Sequence, residues 1–444
     1  MEAYPVRTFY FSGWTTSASI AALLLAGCAG QQPPFGAPSA PPQSRAIAAA
    51  RSAEHRNSSS SYQQLYRFRP PVNGVHPAAG LLDVNGVMYG TTSGGGLSDQ
   101  GTVYRVSTSG VRRVLYRFRG GSDGSDPLSG LLDVNGTLYG TTARGGSSNA
   151  GTVYSVSTSG TENVLYAFKG GSDGVQPDAS VIDVRGTLYG TTSQGGGTGC
   201  AHYGIVGCGT VFSLTTSGQE TVLHRFAGGS DGAQPIAELI DVKGVLYGTT
   251  FAGDSCKYYR GCGTVYSITR SGAEKVLYGF QGYSDGAYPG SGLINVNGML
   301  YGTTIGGGQI GSNCIYNACG TVYQISTTGA EQVVYRFKDG SDGASPWADL
   351  LEVNGVLYGT TAEGGDGRGY CYNGGGNCGT VYSVTLAGVE KVLYAFQGSS
   401  DGENPVSPLI DVNGSLYGTT LVGGDHDVCC TIYGYGTVFA LTSQ

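Results

Sequence analysis

Ten of the eleven cysteines stand in close pairs: Cys200 and Cys208, Cys256 and Cys262, Cys314 and Cys319, Cys371 and Cys378, Cys429 and Cys430. Four pairs end directly before Gly-Thr-Val. An even set of close pairs reads as a disulfide framework in an exported chain. Each bridge would staple the base of its own loop, contributing about 2–3 kcal/mol in the chain-entropy picture. Zinc is the competing chemistry, but the pair spacings differ and no Cys/His quartet lies nearby. Cys429 and Cys430 are adjacent, so they read either as a strained vicinal bridge or as two free thiols.

The same stretches collect flat amphipathic rings, amides and carboxylates: Tyr203, Tyr258, Tyr259, Tyr316, Asn317, Tyr370, Tyr372, Asn373, Asp425, Tyr433 and Tyr435. This mixture suits binding of sugars or polar peptides, and it equally suits rings that merely cover the disulfide loops. Six aspartates precede glycine at regular intervals: Asp123, Asp173, Asp231, Asp285, Asp342 and Asp401. Calcium needs several oxygens in one loop, and each loop offers one such Asp, with Asn73 in the first. A side chain capping a turn accounts for the pattern with less. Catalysis has thin support. Of five histidines, His202 and His426 fall in variable loops without a partnered nucleophile, and His224 replaces a repeat Tyr as a packed blade residue. A loop carboxylate pair such as Asp366 and Asp425 would be needed for acid–base work on a glycan. No catalytic residue, cofactor or metal ligand set is assigned.

The elements that must position these residues recur seven times. LYGTT begins at Leu138, Leu188, Leu246, Leu300, Leu357 and Leu416, and as MYGTT at Met88. The glycine of the preceding loop recurs at Gly74, Gly124, Gly174, Gly232, Gly286, Gly343 and Gly402. Repeats of about 50–60 residues point to solenoids, propellers or arrays. Each copy reads as four short strands. In the sixth these are 349–353, 356–361, 380–385 and 390–396, with Asn354-Gly355 as a type I′ hairpin turn. Apolar and aromatic residues occupy both faces of the strands, as stacked blades require. The glycine inside LYGTT allows close backbone approach, here expected near a crowded axis.

The two ends close the ring. Residues 62–68 form a fourth strand with no blade before it, and 437–442 form a third strand with no fourth after it. Pairing them completes the last blade and removes two open edges. The reading is an all-β, seven-bladed β-propeller of four-stranded antiparallel blades, closed by strand 62–68 pairing with the C-terminal blade. An open β-solenoid is the rival, and it would need capping repeats.

The pattern LYxFxGxxDGxxPxxxLxxVNGxLYGTTxxGGxxxxGTVYxV resembles the GloVer-type tandem repeat of choice-of-anchor bacterial proteins, from Tyr62 to Gln444, and kelch repeats more distantly. That resemblance implies repeat architecture and an extracytoplasmic location, and no particular activity. Such proteins often carry a C-terminal sorting tail, whereas this sequence ends at Gln444 after its last strand.

Residues 1–28 end in an apolar run too short to span a bilayer and of signal-peptide length. Leu25-Ala-Gly-Cys28 resembles a lipobox, with Cys28 as the lipidated residue. Arg7 is the one basic residue of a long n-region. Residues 29–61 change to Pro-, Ala- and Ser-rich sequence, a tether without a core, and the propeller occupies 62–444. The net charge of −7 gives nucleic acid no electrostatic support. The sequence therefore leads to a monomeric, envelope-located, lipid-anchored binding or scaffold domain whose partner is a glycan or protein. The membrane is met only through the lipid, and the chain is secreted if Cys28 carries none. A polysaccharide hydrolase or lyase using loop carboxylates and a structural spacer are the alternatives.

Overall fold

The computed structural model describes residues 60–443, apart from 71, 198, 201–205, 254–260, 309–318, 339, 366–370, 372–377, 399 and 425–433. The leader, Cys28 and the tether up to residue 59 lie outside the described residues. Seven four-stranded antiparallel sheets make up the described chain. In the first blade β2 (Leu82–Val84), β3 (Val87–Thr92), β4 (Thr102–Ser107) and β5 (Arg112–Arg117) pair in chain order. The next five blades repeat this order. The seventh is built as β1-β28-β27-β26, with β1 (Ser60–Arg67) antiparallel to β28 (Thr437–Ser443) and Tyr62 opposite Leu441. The chain is a seven-bladed propeller closed by its N-terminal strand.

The first strand of each blade is innermost. β2 meets β6 (Leu132–Val134), which meets β10 (Ile182–Val184). β14 (Ile240–Val242), β18 (Ile294–Val296), β22 (Leu351–Val353) and β26 (Ile410–Val412) continue in turn, and β26 returns to β2. These inner strands are three residues long, shorter than the expected 349–353 in the sixth blade. Carbonyls just before each inner strand are taken by a threonine of the preceding blade. Thr91 Oγ1 donates to the Ser129 carbonyl at 2.9 Å, Thr303 Oγ1 to Pro346 at 3.0 Å and Thr360 Oγ1 to Ser407 at 3.2 Å. Thr419 Oγ1 closes the circle on the Pro77 carbonyl at 3.1 Å.

This assigns each letter of GTT. The first Thr ties blade to blade. The second ties the blade to itself, as Thr142 Oγ1 does with Thr152 Oγ1 at 2.8 Å. The glycine makes room for the ring opposite it. A Cβ at Gly140 would stand 2.5 Å from Tyr154 Oη and 2.7 Å from its Cζ. The crowding is therefore by an aromatic ring of the same sheet, and not by the axis as expected from the sequence.

Those rings form the core between blades. Phe68 packs edge-on against Tyr104, Phe118 against Tyr154 and Phe168 against Phe212, and so around to Phe396 against Phe439. All seven pairs have centroids 5.0–5.2 Å apart. Edge-to-face geometry adds about 0.5–1.5 kcal/mol per pair to the burial term. Tyr104, Tyr154, Tyr266, Tyr323 and Tyr382 are buried with hydroxyls that find no partner, and Phe212 and Phe439 replace the ring elsewhere.

Hairpin turns carry the expected type I′ backbone, with positive φ at both central residues: 55° at Asn85 and 80° at Gly86. Arg185 and Lys243 take the Asn position at φ of 58° and 56°. These turns and the short turns before the fourth strands lie on one face. The loops between second and third strands, and those leading into the next blade, share the other.

Candidate functional site

Of the residues expected to bind on the loop face, Tyr435 is described. It is half-buried, and its ring lies 6.3 Å from that of His76 across the junction of the seventh and first blades. Tyr203, Tyr258, Tyr259, Tyr316, Asn317, Tyr370, Tyr372, Asn373, Asp425 and Tyr433 lie outside the described residues. So do Cys256, Cys314, Cys429, Cys430 and the carboxylates Asp366 and Asp425. Cys200 and Cys208 form a disulfide with Cα atoms 5.3 Å apart, and Cys371 and Cys378 do the same at 5.3 Å. Cys262 and Cys319 are also disulfide-bonded. Such bridges fit an oxidising, extracytoplasmic setting. Among the described residues no helix is long and apolar enough to cross a membrane.

The repeated aspartates are spent on their own loops. Asp173 accepts a bond from Tyr166 Oη at 2.8 Å and one from the Lys169 amide at 2.7 Å. Asp123, Asp285, Asp342 and Asp401 are held by a tyrosine and an amide in the same way. A glutamate of the next blade faces five of these aspartates: Glu162, Glu220, Glu274, Glu331 and Glu390. Burial, then the neighbouring Asp charge, pushes each of them up to about 7. The other two junctions differ together. Where Asn73 stands for Asp, Arg112 stands for Glu, its guanidinium 4.8–5.1 Å from the rings of Tyr66, Phe68 and Tyr104. At the last junction Tyr62 takes the Glu position and stacks on Tyr394 at 4.3 Å.

The mouth of the axis holds the variation that the invariant frame permits. In each repeat the segment leading into the inner strand contains one left-handed residue: His76, Asp126, Gln176, Gln234, Tyr288, Ser345 and Asn404, with φ between 54° and 63°. Their backbones are clamped alike. The Gln234 amide donates to the Cys208 carbonyl, and the Gln234 carbonyl accepts from the Phe251 amide. The same backbone carries six types of side chain: His76, Asp126, Gln176 and Gln234 are partly exposed, whereas Tyr288, Ser345 and Asn404 are buried. Strained non-Gly positions persist where the surroundings impose them.

One side of this mouth is polar. Asp126 pairs with Arg144 at 3.5 Å, and Gln176 donates to Asp178 at 3.2 Å. Burial raises the Asp178 carboxyl to about 6 against the pull of Ser193, Gln176 and Arg144. The other side is aromatic. The ring of Phe251 lies 5.2 Å from that of Tyr288 and 6.0 Å from that of Trp347, the latter nearly parallel at 17°. Gly290 leaves space for Ile305 and the indole, because a Cβ there would be 2.7 Å from Ile305 Cδ1 and 3.3 Å from Trp347 Cε3.

Between these sides two acidic residues, Glu238 and Asp349, flank Gly292 of the fifth blade. Asp349 reaches across to accept the Gly292 amide. A Cβ at Gly292 would stand 3.3 Å from Asp349 Oδ1 and 3.2 Å from the Glu238 carbonyl oxygen. Burial and the Asp349 charge push Glu238 up to about 8, and burial also raises Asp349. Both side chains remain partly open to solvent. Sequence reasoning missed them. The available signal was positional, since the residue two before each inner strand is Gly80, Gly130, Ser180, Gly292 or Pro408 in the other blades and acidic in two.

No curated protein matches the sequence. Among solved structures the chain is similar to the tricorn protease, at 12% identity and TM-score 0.39, over 77% of this chain and 27% of that one. It thus spans about a quarter of the tricorn protease chain. It is also similar to a putative gluconolactonase, at 10% identity and TM-score 0.42, over 87% and 92% of the two chains. A puromycin-hydrolyzing peptidase of Mycobacterium tuberculosis is similar at 11% identity and TM-score 0.45, over 80% and 53%. The sequence itself matches the Gloeobacter/Verrucomicrobia repeat over residues 54–206, 199–372 and 317–444. With seven copies of one blade from end to end of the described chain, this protein belongs to the Gloeobacter/Verrucomicrobia repeat family.

Proposed function

We propose that the propeller is an exported binding domain, anchored through a lipid on Cys28, that takes glycan chains at the axial mouth of its loop face. The observation that carries this reading is the nearly parallel, partly exposed pair of Phe251 and Trp347, backed by buried Tyr288, beside the carboxyls of Glu238 and Asp349. Sugars present C–H faces to flat rings and hydroxyls to carboxylates and amides, so the two kinds of group suit one ligand. On this reading the variable loops of blades three to seven would add further contact. The test is a polysaccharide panel scored for retention and for released fragments, with Trp347→Ala beside the native protein. Retention without fragments, weakened at least tenfold by Trp347→Ala, is the expected result. Unchanged retention would remove the platform from the site.

A hydrolytic reading is favoured by one observation, the Glu238–Asp349 pair. A carboxyl held up to about 8 carries its proton at neutral pH, as a general acid for glycoside cleavage must. On that reading fragments appear and Glu238→Gln abolishes them while retention survives.

A further inference from the structure

At the junction of the third and fourth blades the repeated cluster changes its chemistry. His224 stands where the other described junctions carry Tyr116, Tyr166, Tyr278, Tyr335 or Tyr394. Its Nε2 lies 3.2 Å from Asp231 Oδ1 and 3.3 Å from Oδ2. One ligand-type atom each from His224, Asp231 and Glu274 falls within 4.8 Å of the others. Glu274 Oε1 is buried without a hydrogen-bond partner, as is Oε1 of Glu162, Glu220, Glu331 and Glu390 at the sister junctions, so what distinguishes this junction is the imidazole. The His224 and Asp231 side chains keep 20% and 24% of their surface open, so water can reach the cluster.

A second change accompanies the first. Elsewhere a basic side chain offsets the two carboxylates: Arg119 at Glu162, Lys169 and Arg225 at Glu220, Arg336 at Glu331, Lys338 at Glu390. These bases occupy two places, four residues before the Asp or five after the Glu. At this junction those places hold Ala227 and Gly279. The protein's own cation has been removed from the cluster that gained an imidazole.

We propose that His224, Asp231 and Glu274 form a site for a divalent transition-metal ion, zinc being the best match to one imidazole and two carboxylates. Zinc bonds of about 2.0–2.2 Å in a tetrahedron set ligand atoms roughly 3.3–3.6 Å apart, and the His–Asp separation already approaches that spacing. The ion supplies the missing positive charge and gives the orphaned Glu274 oxygen a partner. Water fills the fourth position. Phe226 holds the imidazole edge-on at 4.8 Å and so fixes its plane. Asp231 keeps its second task, accepting the Ala227 amide at 2.6 Å. The site lies at the outer rim between blades, so it stands independently of the axial mouth.

The experiment titrates the full chain, disulfides intact, with Zn²⁺ by calorimetry and with Co²⁺ by visible absorption. His224→Tyr restores the residue of the other junctions and is chosen so that the blade still folds, which circular dichroism checks. Glu274→Gln is the second variant. The native chain is expected to bind one more equivalent of Zn²⁺ than either variant, with Co²⁺ absorption diagnostic of a four- or five-coordinate site. Affinity for that equivalent should fall at least tenfold in both. Equal stoichiometry and affinity in the native chain and His224→Tyr, or loss in His224→Tyr without loss in Glu274→Gln, overturns the proposal.

Discussion

The smallest unit that explains this molecule is the carboxylate of the recurring Ser-Asp-Gly loop. It stops each such loop by accepting an amide four residues back and, in five of the six, fastens it to the outer strand through a tyrosine seven back; His224 takes that place at Asp231. Hydrogen bonds to a charged acceptor are worth about 1.5–3 kcal/mol each. Asp173→Ala should therefore destabilise the propeller by about 2–3 kcal/mol, read as a lowered urea midpoint at unchanged slope. Asp173→Asn should cost less, because an amide oxygen still accepts from Lys169. The sequence led to a turn-capping role over a calcium site on economy alone. The structure adds the tyrosine, a partner whose distance along the chain is not that of a local turn motif.

At the scale of elements, the strand that begins the propeller completes the blade that ends it. β1 brings Phe68 into the last interblade core, 1% exposed, and lays Tyr62 on Tyr394. Without it β28 becomes an open edge with seven unpaired residues' worth of ladder. Removing residues 1–59 should leave the melting temperature unchanged. Removing 1–69 should cost at least about 3 kcal/mol from two large side chains alone, with aggregation through the exposed edge. Thermal melts and light scattering on the two truncations decide this. The inner strands make the complementary point. Their existence was legible from LLDV before Asn-Gly, but their tie to the preceding blade was not, because the carbonyls ahead of them bond a threonine about forty residues earlier.

Over the whole molecule, five interblade glutamates held near 7 make a ring of titrating groups. A carboxyl whose folded value lies above its unfolded one binds its proton more tightly in the folded state. Such a group favours folding below about 4.5, and that contribution is lost as pH rises from there through about 7. Each site is half-open to water, so screening blunts its share, and the effect is read from the sum. The melting temperature should fall steadily from pH 5 to pH 8. The triple variant Glu162→Gln, Glu331→Gln, Glu390→Gln should flatten the slope; an unchanged slope would mean that these groups titrate normally.

The sequence by itself determined the seven-blade count, the four strands per blade, the I′ turns and the ring closure. All of these follow from local periodicity and from an orphan strand at each end, which any reader of the chain can match. It also marked the loop face, since length variation there is visible as text. What only the tertiary structure decided is which side chains meet. Glu238 and Asp349 are 111 positions apart, yet they flank Gly292 because every blade delivers its lead-in segment to the same axial mouth. His224 reads as one more packed ring until Glu274 arrives from the next blade beside Asp231. Repeats make such meetings invisible in one dimension, because the partner sits in another copy, one or two blades away, where periodicity shows a position and not a contact.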